Sequence, residues 1–217
     1  MDKERDVLPV NKAAMKDVAT ADLERAADRL ELEYDEGVHL EFLLQSYVVT
    51  NKGVFKESGE PASQIISALL IQYCLSNTAS RPTGNFVSMS QLAGPGSGIG
   101  SYFNSEILTP MDKEFSKDIK KLKTRAFKLG AKKDDIALSG GVSFIFEPLK
   151  HIPVKLVFYP GDDEFSAGGS ILLDASATDF VGFETLAFLV TILFRSIHYY
   201  LQSHFYLMQN PGKWHEI

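Results

Sequence analysis

A single cysteine, Cys74, is all the thiol chemistry in this 217-residue sequence. One cysteine excludes an internal disulfide, a cysteine-based zinc site and a four-thiolate iron–sulfur cluster built from this chain alone, and it fits a reducing compartment. Long apolar runs are also lacking. The most apolar stretch, Phe180 to Met208, is interrupted by Glu184, Arg195, His198 and His204, so it reads as a buried helix and no membrane span is expected. The opening Met1-Asp2-Lys3-Glu4-Arg5-Asp6 alternates charge where an export signal needs an apolar core, so the expected location is cytoplasmic. No G-x-S-x-G elbow, H-E-x-x-H helix or kinase motif set occurs. With no internal repeat and no long polar linker, the expectation is a loosely held tail at residues 1–12 and a single domain over 13–217.

What is present suits an ordinary globular chain: 45% apolar and 23% charged residues with a mean hydropathy of -0.05. Met15, Val18, Leu23, Ala26, Ala27 and Leu30 recur at helical spacing and predict one helix over 13–30. Between Leu32 and Lys56 the period falls to two. Val38, Leu40 and Phe42 alternate with His39 and Glu41, and Asn51-Lys52-Gly53 is a hairpin-type turn, which together predict an antiparallel meander. Pro61 in a first turn, followed by Ile65, Ile66, Leu69, Leu70 and Tyr73, predicts a second helix. A short strand is expected at Phe86-Val87-Ser88-Met89. Thr109-Pro110-Met111-Asp112 has the form of a capping box, opening a helix that carries Met111, Phe115, Ile119, Leu122, Ala126 and Leu129 and stops at Gly130. Strands near 142–146, 154–159 and 170–174, separated by Pro148, Pro153 and Pro160-Gly161, precede a long apolar helix at 183–208. The fold class read from this order is α+β, a largely antiparallel sheet packed by about four helices.

Three features invite a functional reading. The loop Gly94-Pro95-Gly96-Ser97-Gly98-Ile99-Gly100 could approach an anion through backbone N–H groups, with a helix starting near Ile99. It matches neither dinucleotide nor Walker spacing, and no lysine lies between Lys56 and Lys113; a structural turn and a ligand-closing loop (Gly96, Gly98, Gly100) are the alternatives. Asp162-Asp163-Glu164-Phe165, with Asp174 ending the next strand, clusters carboxylates that could hold a divalent cation or exchange protons, although acidic residues after Pro-Gly are also good turn formers. His198 and His204 sit on the aromatic last helix. Six residues apart, they lie about 120° from each other, which is wrong for chelation, so the alternatives are one histidine facing a pocket and a hydrogen-bonded core histidine. Cys74, inside an apolar helix, reads as buried and inert.

Charge is unevenly spread. Residues 113–133 hold nine Lys and Arg against Glu114 and Asp118, about +7, which leaves about -13 for the rest of a chain whose net charge is -6. That basic segment can be a solvated face or dock an acidic partner protein or phosphate-bearing molecule. Nucleic acid is not expected, since a pI near 5.4 makes the remaining surface repel it.

The run from Leu149 to Asp174, LKHIPVKLVFYPGDDEFSAGGSILLD, with the upstream Ser90-Gln-Leu-Ala-Gly94 loop, Gly98 and Gly100, resembles the uncharacterised family called domain of unknown function 3786. The resemblance spans roughly Leu32 to Leu201. It implies anaerobic metabolism, a pocket near Asp163, Glu164, Phe165, Asp174 and the glycine loop, and a corrinoid or other tetrapyrrole as the first ligand to consider. The leading expectation is therefore a cofactor- or small-molecule-binding accessory protein. A metal-assisted hydrolase or transferase using Asp163, Glu164 and Asp174, and an interaction module using residues 113–133, are the alternatives.

Overall fold

The computed structural model describes the backbone over residues 9–94, 98–134, 140–161 and 168–209. The chain forms two compact units, Met1–Ala79 with Phe205–Ile217, and Ser80–His204. Helices and antiparallel sheets are mixed throughout, as an α+β chain requires.

The first unit contains helices α1 (Pro9–Val18) and α2 (Leu23–Leu30), strands β1 (Glu33–Tyr34), β2 (Val38–Phe42), β3 (Gln45–Thr50) and β4 (Gly53–Lys56), and helix α3 (Gln64–Cys74). The helix expected over 13–30 is two helices. Asp22 accepts the Arg25 N–H at 3.0 Å and so caps α2, while the Asn51 amide donates to Val18 O and Ala21 O at 2.6 and 3.1 Å. A side chain from the hairpin thus takes the carbonyls that a continuous helix would use. Helix α1 begins at Pro9, inside the expected tail, and residues 1–8 lie outside the described residues. Asp22→Ala is expected to cost about 1 kcal/mol, the usual worth of an N-cap. A urea midpoint indistinguishable from that of the parent protein would show that Asn51 alone holds the break.

The four strands form the antiparallel meander β1-β2-β3-β4, with Val38, Leu40 and Phe42 buried and Glu41 exposed. Thr50 pairs with Gly53 across a two-residue turn at Asn51-Lys52, and Gly53 has φ +135°, a conformation that side chains disfavour. Helix α3 is capped by Ser63, whose hydroxyl accepts from Ile66 N, and not opened by Pro61, which bridges to Phe55 before the helix starts. Its buried Ile66, Leu69, Leu70, Ile71 and Tyr73 pack on α1, α2 and the meander.

The second unit has strands β5 (Phe86–Ser88), β6 (Lys132–Lys133), β7 (Val142–Leu149), β8 (Ile152–Tyr159) and β9 (Gly168–Asp174) in the order β5-β9-β8-β7-β6, every pair antiparallel. The described strands therefore build two sheets rather than one. Between β5 and β6 run α4 (Met89–Ala93), α5 (Ile99–Phe103), a π-helical turn (Asn104–Leu108), α6 (Thr109–Phe115) and α7 (Ile119–Lys128), and after β9 come α8 (Ala177–Phe180) and α9 (Phe183–Gln209). Pro148 and Pro153 sit inside strands, not between them. The ladder between β7 and β8 is irregular after Phe146, beside the Lys150-His151 turn, and a proline there forfeits no paired N–H. Phe144, Phe146, Val154, Leu156, Phe158 and Leu173 share one sheet face by register and are buried, and α9 lies on it, with the Phe194 ring edge-on to Phe146 at 5.9 Å. No described helix is long and apolar enough to cross a membrane.

Candidate functional site

The helical run after the glycine loop decides where the charges meet. Gly98 opens α5 in the left-handed conformation, φ +66°, and a Cβ at Gly100 would lie 2.6 Å from Ser90 Oγ, so both glycines have a backbone reason to be there. Gly96 lies outside the described residues. The helix expected to start at the Thr109 capping box is already under way. Thr109 is helical and its hydroxyl donates to Asn104 O at 2.9 Å, the reverse of a cap. Pro110 has no N–H to give the carbonyl four residues earlier, and the ladder before it widens into the π turn. Such turns often mark functional sites, and this one carries Glu106.

A second break follows at residues 116–118, because Asp118 accepts from Lys121 N at 3.0 Å and caps a new helix, α7. The long helix expected from Met111 to Leu129 is therefore two. Folding α7 back brings Lys121 and Arg125 onto Glu114 of α6. Glu114 Oε1 lies 2.9 Å from Lys121 Nζ and 2.6 Å from Arg125, whose guanidinium also donates to the Ile197 and His198 carbonyls of α9. The other oxygen, Oε2, lies 2.6 Å from His198 Nδ1, a buried atom in a ring that is 26% exposed.

Burial holds the His198 imidazole below its ordinary value. Glu114 pulls the other way, but Arg125, Lys121 and Arg195 add to the depression. The ring is therefore neutral near pH 7, with the Glu114 carboxylate beside Nδ1. His198 lines a pocket of about 110 Å³. Ile107, Pro110, Met111 and Phe194 supply its apolar wall, and Arg195, one helical turn before His198, pairs with Glu106 at 3.4 Å as its second polar element.

Among the described residues, the other candidates do not join this site. Asp174 is fully buried at the end of β9 and accepts five hydrogen bonds: from Thr83 N and Oγ1, Gly84 N, and Ser176 N and Oγ, at 2.7–3.0 Å. Burial alone would raise its pKa, but the donors of Thr83 and Ser176 outweigh that and hold it below the ordinary carboxylate value. Both oxygens are occupied, which is the arrangement of a structural anchor for the 83–86 segment and α8. Asp163, Glu164 and Phe165 lie outside the described residues, and so does the side chain of His204. Among the described residues no three His, Cys, Asp or Glu side chains converge as a metal site. Cys74 is fully buried, and burial pushes its thiol up to about 12, which fits an inert core residue.

Of the sequence candidates among the described residues, His198 alone lines the charged pocket. Its partners Glu106, Glu114 and Arg195 were not candidates, and the one local signal was the spacing of three between Arg195 and His198.

The fold and site thus define an α+β protein with a small histidine- and arginine-lined pocket. A family model described as Domain of unknown function (DUF3786) matches residues 22–196, and the chain belongs to that family. The match holds Glu106, Glu114, Arg125 and Arg195 and ends two residues before His198. Neither curated proteins nor solved structures gave a match to the chain.

Proposed function

We propose that the protein binds a small carboxylate carrying a hydroxyl or amine donor, with Arg195 facing the carboxylate and His198 Nε2 accepting from the donor. The observation that carries this reading is His198, its Nδ1 buried beside Glu114, in the lining of a pocket that also holds Arg195. Arg195 is engaged by Glu106 at 3.4 Å, a partly exposed pair of little intrinsic worth, so a ligand carboxylate with bidentate geometry can replace it. A pocket near 110 Å³ is well below the roughly 300–1,000 Å³ that drug-sized ligands occupy, so a corrinoid or other tetrapyrrole is not the ligand proposed for it. A histidine oriented by a carboxylate is also the arrangement of a general base. If a hydroxy acid is consumed on incubation, the pocket is an active site.

Thermal melts with lactate, glycolate, glycine and inorganic phosphate test the reading. A ligand at 100 times its Kd stabilises by about 2.7 kcal/mol, which for this chain length raises Tm by roughly 5–11 °C. One of the three organic acids should give such a shift, and Arg195→Met or His198→Gln should abolish it. Melts that none of the acids moves, or that move equally in both variants, would overturn the proposal.

A further inference from the structure

The basic segment 113–133 spends part of its charge internally, since Lys121 and Arg125 hold Glu114. The remainder lies outside. Lys120 and Lys123 are exposed on α7, and Lys132 and Lys133 form β6, the exposed edge strand of the five-stranded sheet. Solvation of a helix face and protection of a sheet edge account for these lysines by themselves. They do not account for Phe127. Half of its surface (50%) is open, the largest exposure among the large apolar side chains described, and it follows Lys123 by four residues and Lys120 by seven, on the same helix face.

The register ties that face to the edge strand. The Phe127 ring meets Phe144 edge-on, with centroids 5.6 Å apart at 86°, and Phe144 is the cross-strand partner of Lys133. Directly paired residues project on one face of a sheet, so Lys133 emerges on the side against which Phe127 leans. The helix face and Lys133 form one surface, an aromatic ring pinned along one side by Phe144 with lysines before and after it, while Lys132, paired with Ile145, projects to the opposite face.

We propose that this surface docks an acidic segment of a partner protein, anchored by an apolar side chain that covers Phe127. The sign of the partner follows from the charge, about +7 over 113–133 against about -13 elsewhere. Its protein character follows from the same numbers. A short acidic segment touches only the basic patch, whereas a long polyanion also meets the repelling remainder. The aromatic anchor gives the contact a centre that charge alone lacks.

The test uses the full chain and two fluorescent dodecapeptides, one of alternating Glu and Leu and one of Glu and Ser, with a single-stranded DNA dodecamer as the competing polyanion. Anisotropy should show the Glu/Leu peptide binding at least tenfold more tightly than Glu/Ser, with affinity falling as salt rises. Lys123→Glu and Phe127→Ser should each weaken it at least tenfold. Lys123 is exposed and makes no ion pair among the described residues, so its variant keeps the test valid if Phe127→Ser disturbs packing on Phe144. Absence of Glu/Leu binding at low salt, equal or tighter binding of the DNA, or a salt-sensitive dimer of the chain that Lys123→Glu dissolves would each overturn the proposal.

Discussion

Asp174→Ala will lower the unfolding free energy by about 4–6 kcal/mol, a large fraction of the roughly 5–15 kcal/mol that holds an ordinary domain together. The substitution removes little apolar contact. It leaves three backbone N–H groups, of Thr83, Gly84 and Ser176, and two hydroxyls without the acceptor that all five share; the Ser176 donors are buried, whereas Thr83 and Gly84 are exposed residues that can turn partly to water. Each orphaned donor costs about 1–3 kcal/mol before relaxation. Asp174→Asn keeps the shape but turns an amide N–H₂ toward donors, so it should recover only part of the loss. Acid gives the same result reversibly. Because the folded carboxyl lies below its unfolded value, near 3.9, this stabilisation is complete above that pH and is lost as the pH falls through the folded value. Urea denaturation from pH 7 to pH 3 should therefore show a steeper acid loss for the parent protein than for Asp174→Asn. Parallel profiles, or an Asp174→Ala midpoint within error of the parent, would contradict the anchor.

The parts of the fold that the sequence foretold are those whose signal is local and periodic. The alternation of Val38, Leu40 and Phe42, the turn at Asn51-Lys52-Gly53 and the apolar length of α9 each report a repeating contact that a few neighbours determine. Helix ends were read less well, and for one reason. Asp22 and Asp118 both lie three residues before a backbone N–H they accept, and both interrupt an apolar stripe that continues in phase on the far side. Periodicity is blind to such a break, while the cap depends on one side chain. Pro110 misled in the opposite direction, since a proline after threonine suggests a helix start and here sits inside a helix that widens ahead of it. The site suffered most. Glu114, Lys121 and Arg125 read as one basic face, yet their convergence on His198 requires the break at 116–118 and the return of α9 across the sheet, neither of which a sequence window contains.

The second large effect concerns Lys155, the one charged residue in the strand β8. Register with Ile145 and Leu172 sets it on the sheet face opposite Val154 and Leu156, where a lysine in an apolar run reads as solvent-facing. Instead its side chain is 10% exposed, its ammonium lies 3.0 Å from Asp134 Oδ2, and it sits 4.2 Å from the Phe86 ring centroid. Ser143 donates to the same carboxylate oxygen at 2.9 Å, so Asp134 joins the end of β6 to β7 and β8. Removing one partner strands the other charge, and Asp134→Ala should cost about 3–5 kcal/mol. Removing both charges should not. In Asp134→Ala/Lys155→Met the thioether replaces the ammonium over Phe86, a favourable sulfur–aromatic contact, and the double variant should recover most of the stability that the first substitution removed. Four urea midpoints close the cycle. A coupling of more than about 1 kcal/mol marks a buried ion pair whose halves need each other, whereas additive losses would mean that each charge is satisfied separately, Asp134 by Ser143 and Lys155 by the ring.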